Sequence, residues 1–398
     1  MDLLITPSKL TGTISVIPSK SQAHRLLICA AFADQPTVLT CSDTNRDIEA
    51  TAACLNALGA DIRRTENGYE ISPVKQVPRK ALLPCRDSGS TLRFLLPVAG
   101  ALGVEASFQM EGRLAQRPLS PLWEEMERMG CQMKFIDANV LLCTGNLRPG
   151  EYRIDGSVSS QFISGLLFAA ALIPGETKIT VTGRMESKPY IDLTRKAMEI
   201  FGRSSQGFTV QGGKPFVSPK TWNVEGDWSN GAFFLAANAL GSTLDICNLS
   251  QDSLQGDKAA ADLLQKLNQS CDISAADIPD LVPILSVVAA CSQGAVFTDI
   301  QRLRLKESDR VQSVIAMVHS LGGTAEATED KLTVHGTGLT GGRVDCVNDH
   351  RIAMSAAIAA TVCTSPVIVS GAECVEKSYP RFWEEYRRLG GKYEQYLR

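Results

Sequence analysis

The sequence predicts an α/β protein of two lobes, each built from three copies of one βαβαββ unit. Three observations lead to this prediction. A chain of 398 residues that is 44% hydrophobic can bury the cores of two domains. One pattern of strand, polar turn and alanine-rich helix recurs six times along it. The last copy lacks a final strand, while the opening segment MDLLITPSKL is a strand that belongs to no copy.

The six copies share an extended segment, a short turn rich in Gly, Ser and Asp, and an apolar helix. Their turns begin near residues 19, 87, 156, 226, 280 and 349, and the interval after residue 226 is the shortest. The helices are apolar nearly all round, which is typical of helices buried inside a domain. The copies read VIPSKSQAHRLLICAAF, LPCRDSGSTLRFLLPVAGAL, RIDGSVSSQFISGLLFAAAL, NVEGDWSNGAFFLAANAL, DIPDLVPILSVVAACSQG and DCVNDHRIAMSAAIAATV.

A second helix recurs between these copies, ends near a glycine and is followed by strand-like text. Alternating apolar and polar residues predict the strands, and the glycines predict where the helices end. We expect the first strand of the chain to complete the last unit. Residues 1–18 and 226–398 would then form one lobe, and residues 19–225 the other. The second helices lie in LNALGADIRRTENGYEIS, EEMERMGCQMKFIDANVLLC, MEIFGRSSQGFTV and VHSLGGTAEATEDKLTVHG.

Charge and composition exclude several classes of function. The net charge is −3 and the pI is about 5.9, so we expect neither nucleic acid nor a membrane surface as partner. The opening residues have no signal pattern, and no apolar run is long enough to span a bilayer, so we expect a cytoplasmic protein. The twelve cysteines form no CxxC pair or Cys/His spacing, and we interpret them as reduced, buried thiols.

Five of the six helix starts carry polar residues that packing does not require. Capping explains a single Ser or Asp, but it does not explain the cations, because a helix amino terminus is already positive. A bound anion removes the contradiction, so we expect small ligands with several phosphates or carboxylates. No GxxxxGK[ST] loop is present, so nucleotide chemistry is not expected. The polar residues are Lys20, Ser21 and Arg25; Asp87, Ser88, Gly89, Ser90 and Arg93; Ser159, Ser160 and Gln161; Asp280; and Asn348, Asp349, His350 and Arg351.

The segment RLRLKESDRVQSV places a carboxylate among cations. Lys306 and Arg310 are four residues apart and would share a face if helical, with Glu307 beside them. One interpretation is a solvated helix start capped by Ser308. The neighbouring polar helix starts favour another, in which Glu307 transfers protons at an anion site. Asp280 is a second candidate carboxylate, although a lone Asp in this context is more often a cap.

The motifs PSKSQAHR, DSGSTLR, GSVSSQF, ESKPYI, DIPDLVPI, RLRLKESDR, NDHRIAM and EKSYP resemble those of the 5-enolpyruvylshikimate 3-phosphate (EPSP) synthase family, in the same order along the whole chain. The resemblance implies two lobes, each an inside-out α/β barrel, that close on substrate in the cleft between them. It implies transfer of the enolpyruvyl group of phosphoenolpyruvate to the 5-hydroxyl of shikimate 3-phosphate, with release of phosphate. This reaction belongs to the shikimate pathway to chorismate and the aromatic amino acids.

The resemblance also implies a monomer that needs no metal or organic cofactor and binds the inhibitor glyphosate at the phosphoenolpyruvate site. Asp280 would accept the hydroxyl proton, Glu307 would donate a proton and later remove one, and Lys20 would contact both substrates. Shikimate 3-phosphate would be held by Lys20, Ser21, Arg25, Ser159, Ser160, Gln161, Ser187, Asp280 and Lys306. Phosphoenolpyruvate would be held by Lys20, Gly89, Arg117, Gln161, Arg310, Arg351 and Lys377.

Some residues depart from the family pattern. Asp87, Ser90 and Phe94 replace residues that are usual in the phosphoenolpyruvate loop, which leaves glyphosate sensitivity open, although Gly89 favours it. Arg302 stands where some members use Asn, and it receives no role.

Two alternative functions remain. UDP-N-acetylglucosamine enolpyruvyl transferase shares the fold and the donor, but usually has Lys-Asn at the first turn and a Cys before an Arg-Pro pair. This chain has Lys20-Ser21, and its EGRLAQRPL segment has no Cys. A non-catalytic binding protein of the same fold would require loss of Asp280 or Glu307, and both are present.

Overall fold

The structure, a computed structural model, describes residues 1–396 of the chain. The chain divides into two compact units. The first unit takes both ends, Met1–Ile17 and everything from Gly226 onwards, and the second unit is Pro18–Glu225.

Helices and strands alternate through both units. The first segment contains β1 (Asp2–Thr6) and β2 (Thr11–Ser15). The second unit contains α1 (Lys20–Ala31), β3 (Thr37–Thr40), α2 (Arg46–Ala57), β4 (Asp61–Thr65), β5 (Gly68–Ser72), β6 (Lys80–Arg86), α3 (Gly89–Leu102), β7 (Glu105–Met110), α4 (Leu122–Arg128), β8 (Cys131–Asp137), β9 (Val140–Gly145), β10 (Gly150–Asp155), α5 (Ser160–Leu172), β11 (Gly175–Thr182), α6 (Lys188–Ile200), β12 (Thr209–Gly212) and β13 (Thr221–Asn223). The remainder contains α7 (Trp228–Ala239), β14 (Thr243–Cys247), α8 (Ala260–Lys266), β15 (Cys271–Ser274), α9 (Val282–Ala290), β16 (Ala295–Thr298), α10 (Arg310–Ser320), β17 (Thr324–Ala327), β18 (Lys331–His335), β19 (Gly342–Asp345), α11 (His350–Ala359), β20 (Val367–Ser370), α12 (Phe382–Arg388) and β21 (Lys392–Gln395). Short 3₁₀ helices lie at Leu114–Gln116, Gly256–Ala259, Gln301–Leu305 and Ala372–Lys377.

Two sheets have the complete βαβαββ arrangement with consecutive strands. Their strand orders are β6-β7-β9-β8 and β15-β16-β18-β17. In each sheet the first two strands are parallel and the last two pair antiparallel. A parallel pair needs a crossover, and α3 and α9 provide it. The α/β class predicted from the sequence is therefore confirmed.

Strand β1 completes the last unit. It lies antiparallel between β20 and β21, with Leu4 opposite both Ile368 and Glu394. The prediction that the opening strand fills the missing place is confirmed. In the same way β13, at the end of the second unit, pairs in parallel with β3 and supplies the first strand of the sheet β13-β3-β5-β4.

Two of the six sheets are smaller than the repeat predicts. The sheet β10-β11-β12 has three strands, because Gln206 pairs with Thr209 around the turn at Gly207 and leaves one strand after α6. The sheet β14-β2 has two, because α8 leads directly into β15 of the next sheet. Hydrogen bonding closes none of the six sheets between residues 2 and 395 into a barrel.

The alanine-rich helices form the cores of the two units, as their sequences predict. Every residue of α9 and of α11 is buried, and nearly all residues of α1, α3 and α5 are. Helices α3 and α5 approach closely, since a methyl group on Gly165 would lie 2.3 Å from the carbonyl oxygen of Arg93. The bodies of these helices are therefore packed core.

All twelve cysteines are free thiols and nine of them are buried. The prediction of burial is wrong for Cys247, which is exposed, and for Cys271 and Cys291, which are partly exposed. Over residues 1–396 we find no helix with the length and hydropathy that a membrane crossing requires.

Candidate active site

In the second unit, the first helix start pairs a cation with a buried carboxylate. Lys20 begins α1, and its Nζ donates to Oδ2 of Asp47 at 2.9 Å. Ser19 caps the helix by accepting from the backbone N–H of Gln22. No motif points to Asp47, because an acidic residue in the first turn of a helix such as α2 is ordinary.

Arg25 lies inside the second unit, with 2% of its surface exposed. Its Nε donates to Oγ1 of Thr194 at 2.7 Å, and its Nη1 donates to the carbonyl oxygen of Ser21 at 2.6 Å. Its Nη2 donates to the carbonyl oxygen of Tyr190 at 2.9 Å. These bonds use three of the five guanidinium N–H groups and tie α1 to α6. Burial lowers the pKa of Arg25 to about 9, so the side chain stays charged at neutral pH.

Gly89 allows two guanidinium groups to approach the start of α3. A methyl group at this position would lie 2.9 Å from Nη1 of Arg117 and 3.0 Å from Nη1 of Arg93. The Nε atom of Arg117 is buried without a hydrogen-bond partner among residues 1–396. The predicted pair Gly89 and Arg117 is therefore brought together at the amino terminus of α3.

At the start of α5, the amide of Gln161 is held in one orientation. Its Nε2 donates to Oγ of Ser90 at 2.9 Å, and its Oε1 accepts from Nη1 of Arg93 at 2.9 Å. Ser159 caps the helix through the N–H of Gln161, and Ser160 is buried beside it. The polar starts of α3 and α5 are thus joined by side chains.

Ser187 precedes α6 and is 3% exposed. Its φ of 52° places it in the left-handed region, which is uncommon for a residue with a side chain. Such backbone strain is often found at functional positions.

In the first unit, one buried arginine contacts three carboxylates. Arg310 begins α10 and its side chain is 1% exposed. Its Nη1 donates to Oδ1 of Asp280 at 2.5 Å, and its Nη2 donates to Oε2 of Glu307 at 2.8 Å. Its Nε donates to Oδ2 of Asp349 at 2.9 Å. Burial opposes the charge, but these three carboxylates raise the pKa of Arg310 well above its ordinary value.

Asp280 has two further cationic neighbours. Nη2 of Arg351 donates to its Oδ2 at 3.2 Å, and Nζ of Lys306 lies 3.6 Å from its Oδ1. Its side chain is 27% exposed. Burial raises the pKa of Asp280, but Arg351, Lys306 and Arg310 together hold it well below its ordinary value. As it stands, this carboxylate is a weak base.

The local structure of the KESDR segment differs from the helical arrangement considered above. Lys306 follows the 3₁₀ helix Gln301–Leu305 in an extended conformation, so it does not share a helix face with Arg310. Asp309 caps α10, and not Ser308. The solvated alternative is wrong for Arg310, because that side chain is buried. Burial lowers the pKa of Lys306 to about 8, although Asp280 acts in the opposite direction.

Asp349 orders the start of α11. It is fully buried, accepts from Oγ of Ser308 at 3.0 Å and caps the N–H of Arg351 at 3.0 Å. The Nε and Nη1 atoms of Arg351 are buried and have no hydrogen-bond partner within residues 1–396. Arg351 therefore keeps donors that an anionic ligand can use.

The first unit also contains one more predicted ligand, Lys377, and one buried carboxylate that was not predicted, Asp257. Lys377 ends the 3₁₀ helix Ala372–Lys377 and is 8% exposed. Asp257, which no motif indicates, is fully buried and accepts from Oγ of Ser229. Burial and the charge of Asp280 raise the pKa of Asp257 to about 6, against the effect of Arg351.

Three cations of the first unit are therefore already paired with carboxylates. Lys306, Arg310 and Arg351 face Asp280, and Arg310 also contacts Glu307 and Asp349. A substrate carboxylate that binds Arg310 or Arg351 must compete with Asp280, so ligand binding and the basicity of Asp280 are linked. Among the described residues, no group of His, Cys, Asp and Glu side chains could hold a metal ion.

A family model described as EPSP synthase (3-phosphoshikimate 1-carboxyvinyltransferase) matches residues 4–277 and 268–386. Proteins named 3-phosphoshikimate 1-carboxyvinyltransferase are similar over their full length. That of Clostridium kluyveri is 38% identical, with 98% of both chains covered. That of Clostridium beijerinckii is 38% identical, with 99% of both covered, and that of Clostridioides difficile is 35% identical, with 99% and 98% covered.

Solved structures agree on the fold. A 2.37 Å structure of EPSP synthase from Acinetobacter baumannii aligns with a TM-score of 0.80 at 23% identity, covering 99% of this chain and 100% of that one. A second structure of EPSP synthase from the same organism aligns with a TM-score of 0.80 at 22% identity.

Proposed function

The chain belongs to the EPSP synthase (3-phosphoshikimate 1-carboxyvinyltransferase) family, and we propose that it transfers the enolpyruvyl group of phosphoenolpyruvate to the 5-hydroxyl of shikimate 3-phosphate. This is a transferase reaction of the shikimate pathway. One observation supports the proposed residue roles more than any other. The two Nη atoms of Arg310 contact the two candidate proton-transfer groups, Asp280 and Glu307.

The first half of the reaction is an addition. The carboxyl group of Glu307 gives its proton to the methylene carbon of phosphoenolpyruvate, which builds positive charge on the neighbouring carbon. The 5-hydroxyl oxygen forms a bond to that carbon, and its proton passes to Asp280. The product is a tetrahedral adduct that still carries the phosphate.

The second half is an elimination. The bond between the tetrahedral carbon and the phosphate oxygen breaks, and phosphate leaves with the electron pair. Glu307, now a carboxylate, removes a proton from the methyl group and restores the double bond. The proton held by Asp280 leaves with phosphate or to solvent, so Glu307 ends protonated and Asp280 ionised, as they began.

The ion pairs explain how substrate activates these groups. The guanidinium of Arg310 contacts both Asp280 and Glu307, and together with Lys306 and Arg351 it holds the pKa of Asp280 well below its ordinary value, so Asp280 is ionised but weakly basic. The carboxylate of phosphoenolpyruvate, bound by Arg310 and Arg351, would take up N–H donors that now serve Asp280. The pKa of Asp280 then rises, so that it can accept the hydroxyl proton.

The second unit supplies further anion-binding groups. Gly89, Arg117 and Gln161 would hold phosphoenolpyruvate, with support from the positive amino terminus of α3. Shikimate 3-phosphate would be held by Ser21, Arg25, Ser159, Ser160 and Ser187, and Lys306 is a further expected ligand. Lys20 would break its hydrogen bond to Asp47 and bind the substrates instead. These groups offset the repulsion between two multiply charged anions.

Glyphosate would bind where phosphoenolpyruvate binds, since it offers the same pair of anionic groups. Gly89 supports this, because the space beside Arg117 is open only while no side chain stands there. We further propose a cytoplasmic monomer that needs no metal or organic cofactor.

Acceptor choice is the direct test of this function. Phosphate release from phosphoenolpyruvate is measured with a metal chelator present and either shikimate 3-phosphate or UDP-N-acetylglucosamine as acceptor. We expect release with shikimate 3-phosphate alone. Release with the nucleotide sugar alone would assign the sister activity, and no release with either would indicate a binding protein.

A further inference from the structure

We propose that Phe94 is a positioning residue that fixes the guanidinium of Arg25 for the acceptor, an inference that rests on the proposed role of Arg25 in binding shikimate 3-phosphate. Phe94 lies on α3 and is fully buried. The Cζ atom of Arg25 lies over its ring, 4.9 Å from the centroid. This distance is within the range of an attractive contact between a cation and an aromatic face.

The environment of Arg25 makes this contact important. Arg310 is buried against three carboxylates, whereas the three acceptors of Arg25 are one hydroxyl and two backbone carbonyls. Those bonds lie in the plane of the guanidinium, and none of the three acceptors carries a full negative charge. The ring of Phe94 presents its electron-rich face to the guanidinium. Cation–π attraction is strongest where water is excluded, as it is here.

Phe94 is itself held in a fixed orientation. Its ring meets that of Phe168 edge to face at 5.8 Å, and that of His24 at 6.4 Å with an interplanar angle of 82°. Arg25 is a long side chain with many rotamers, and ordering it costs entropy unless the site is built in advance. Phe94 and the three hydrogen bonds supply that order, which leaves two N–H groups to bind an anion.

The same contact links two binding functions. Gly89, the first residue of α3, lies beside Arg117, and Phe94 lies five residues further along the same helix. Thr194 and Tyr190, which bind Arg25, lie on α6 behind Ser187. Phe94 therefore supports the acceptor group from the helix whose start is expected to meet phosphoenolpyruvate.

The test replaces the aromatic ring of Phe94 with an apolar side chain that still fills most of its space in the core. Phe94→Leu and Phe94→Met keep an apolar side chain but remove the aromatic face, and two variants guard against one that fails to fold. Phe168→Leu is the matched control, because it removes a ring from the same cluster that does not face Arg25. Affinity for shikimate 3-phosphate is measured by titration calorimetry without phosphoenolpyruvate, beside the KM of each substrate and the thermal midpoint of unfolding.

We expect both Phe94 variants to bind shikimate 3-phosphate about threefold to tenfold more weakly, with kcat and the KM of phosphoenolpyruvate changed less than about twofold. Phe168→Leu should lose thermal stability but keep its acceptor affinity. Unchanged acceptor affinity in the Phe94 variants, or an equal loss in Phe168→Leu, would overturn the proposal.

The Arg25→Ala variant distinguishes the positioning role of Phe94 from the proposed role of Arg25 in binding shikimate 3-phosphate. If Arg25→Ala weakens acceptor binding and the Phe94 variants do not, only the positioning role is wrong. If Arg25→Ala leaves acceptor affinity unchanged, Arg25 is not an acceptor ligand and both assignments are wrong, while phosphate release by the unaltered enzyme still tests the overall reaction.

Discussion

The Nη1 atom of Arg310 lies 2.5 Å from Oδ1 of Asp280, and Nη2 of the same guanidinium lies 2.8 Å from Oε2 of Glu307. One buried cation thus joins two carboxylates that the proposed mechanism gives opposite duties. The arrangement keeps Asp280 ionised and makes its basicity depend on a competing anion. It also makes Arg310 important for stability.

Arg310→Ala should destabilise the protein strongly, because Asp349 is fully buried and would lose its main cationic partner. Breaking a buried ion pair from one side costs about 3–5 kcal/mol. Urea unfolding measures the change. Arg304→Ala is the control, since that side chain is 32% exposed and lies 3.6 Å from Asp309, and it should cost at most about 1 kcal/mol. Equal losses in the two variants would show that the buried network contributes little.

Lys306 should make acceptor capture sensitive to mildly alkaline pH. Its pKa is lowered to about 8, chiefly by burial, so its charge is present below that pH and lost above it. The kcat/KM for shikimate 3-phosphate, which reports the free enzyme, should fall as pH rises through about 8. Lys306→Arg keeps the charge and should move this fall to higher pH. A profile that stays flat to about pH 9 in the unaltered enzyme would contradict the assignment.

Gly89→Ala should weaken phosphoenolpyruvate binding while sparing the acceptor. The new methyl group would meet Nη1 of Arg117 at 2.9 Å and that of Arg93 at 3.0 Å, so both side chains must move. We expect the KM of phosphoenolpyruvate to rise about tenfold, which corresponds to about 1.4 kcal/mol. The affinity for shikimate 3-phosphate in the same variant is the internal control. Equal losses for both substrates would indicate general damage to the start of α3.

His24 should make stability fall in weak acid. It is buried, its Nδ1 shares a hydrogen bond with Thr51, and burial together with Lys20 and Arg25 lowers its pKa to about 3 against the effect of Asp47. The unfolded chain binds a proton near pH 6.5, so the stabilising contribution is complete above that pH and is lost as pH falls towards 3. The limiting slope is about 1.4 kcal/mol per pH unit.

His24→Gln should remove this slope, whatever its effect on stability at neutral pH. Denaturant titrations from pH 7 to pH 5 compare the two proteins, a range in which most carboxyl groups remain ionised. Parallel curves would mean that His24 does not stay neutral in the folded protein.

The repeat and the strand exchange could be predicted from the sequence, because hydrophobic periodicity and turn residues depend on local order. The absence of strands after α6 and α8 could not be predicted, because sequence pattern and loop length do not show whether a segment pairs with a neighbouring strand. Lys306 shows a similar limit. The four-residue spacing of Lys306 and Arg310 suggested that they share one helix face. Lys306 instead follows a 3₁₀ helix in an extended conformation, yet its side chain still lies near Asp280.

The candidate residues were visible as polar helix starts, but their partners were not. Asp47 and Asp257 occupy positions where ordinary capping or surface roles are common, so nothing in the sequence separates them from structural residues. Phe94 looks like any core residue until the guanidinium of Arg25 is placed over its ring. Pairings of this kind depend on distant segments and emerge only from the three-dimensional arrangement.

The most direct measurement of the central claim follows the proton that Glu307 transfers. Phosphoenolpyruvate and shikimate 3-phosphate are mixed with the enzyme in D₂O, and deuterium in the methylene group of recovered phosphoenolpyruvate and of product is followed by NMR. The unaltered enzyme should incorporate deuterium with turnover, because the methyl group of the adduct receives one deuteron from Glu307. Glu307→Gln should still bind shikimate 3-phosphate yet incorporate almost none. Incorporation at the rate of the unaltered enzyme would show that another group transfers the proton.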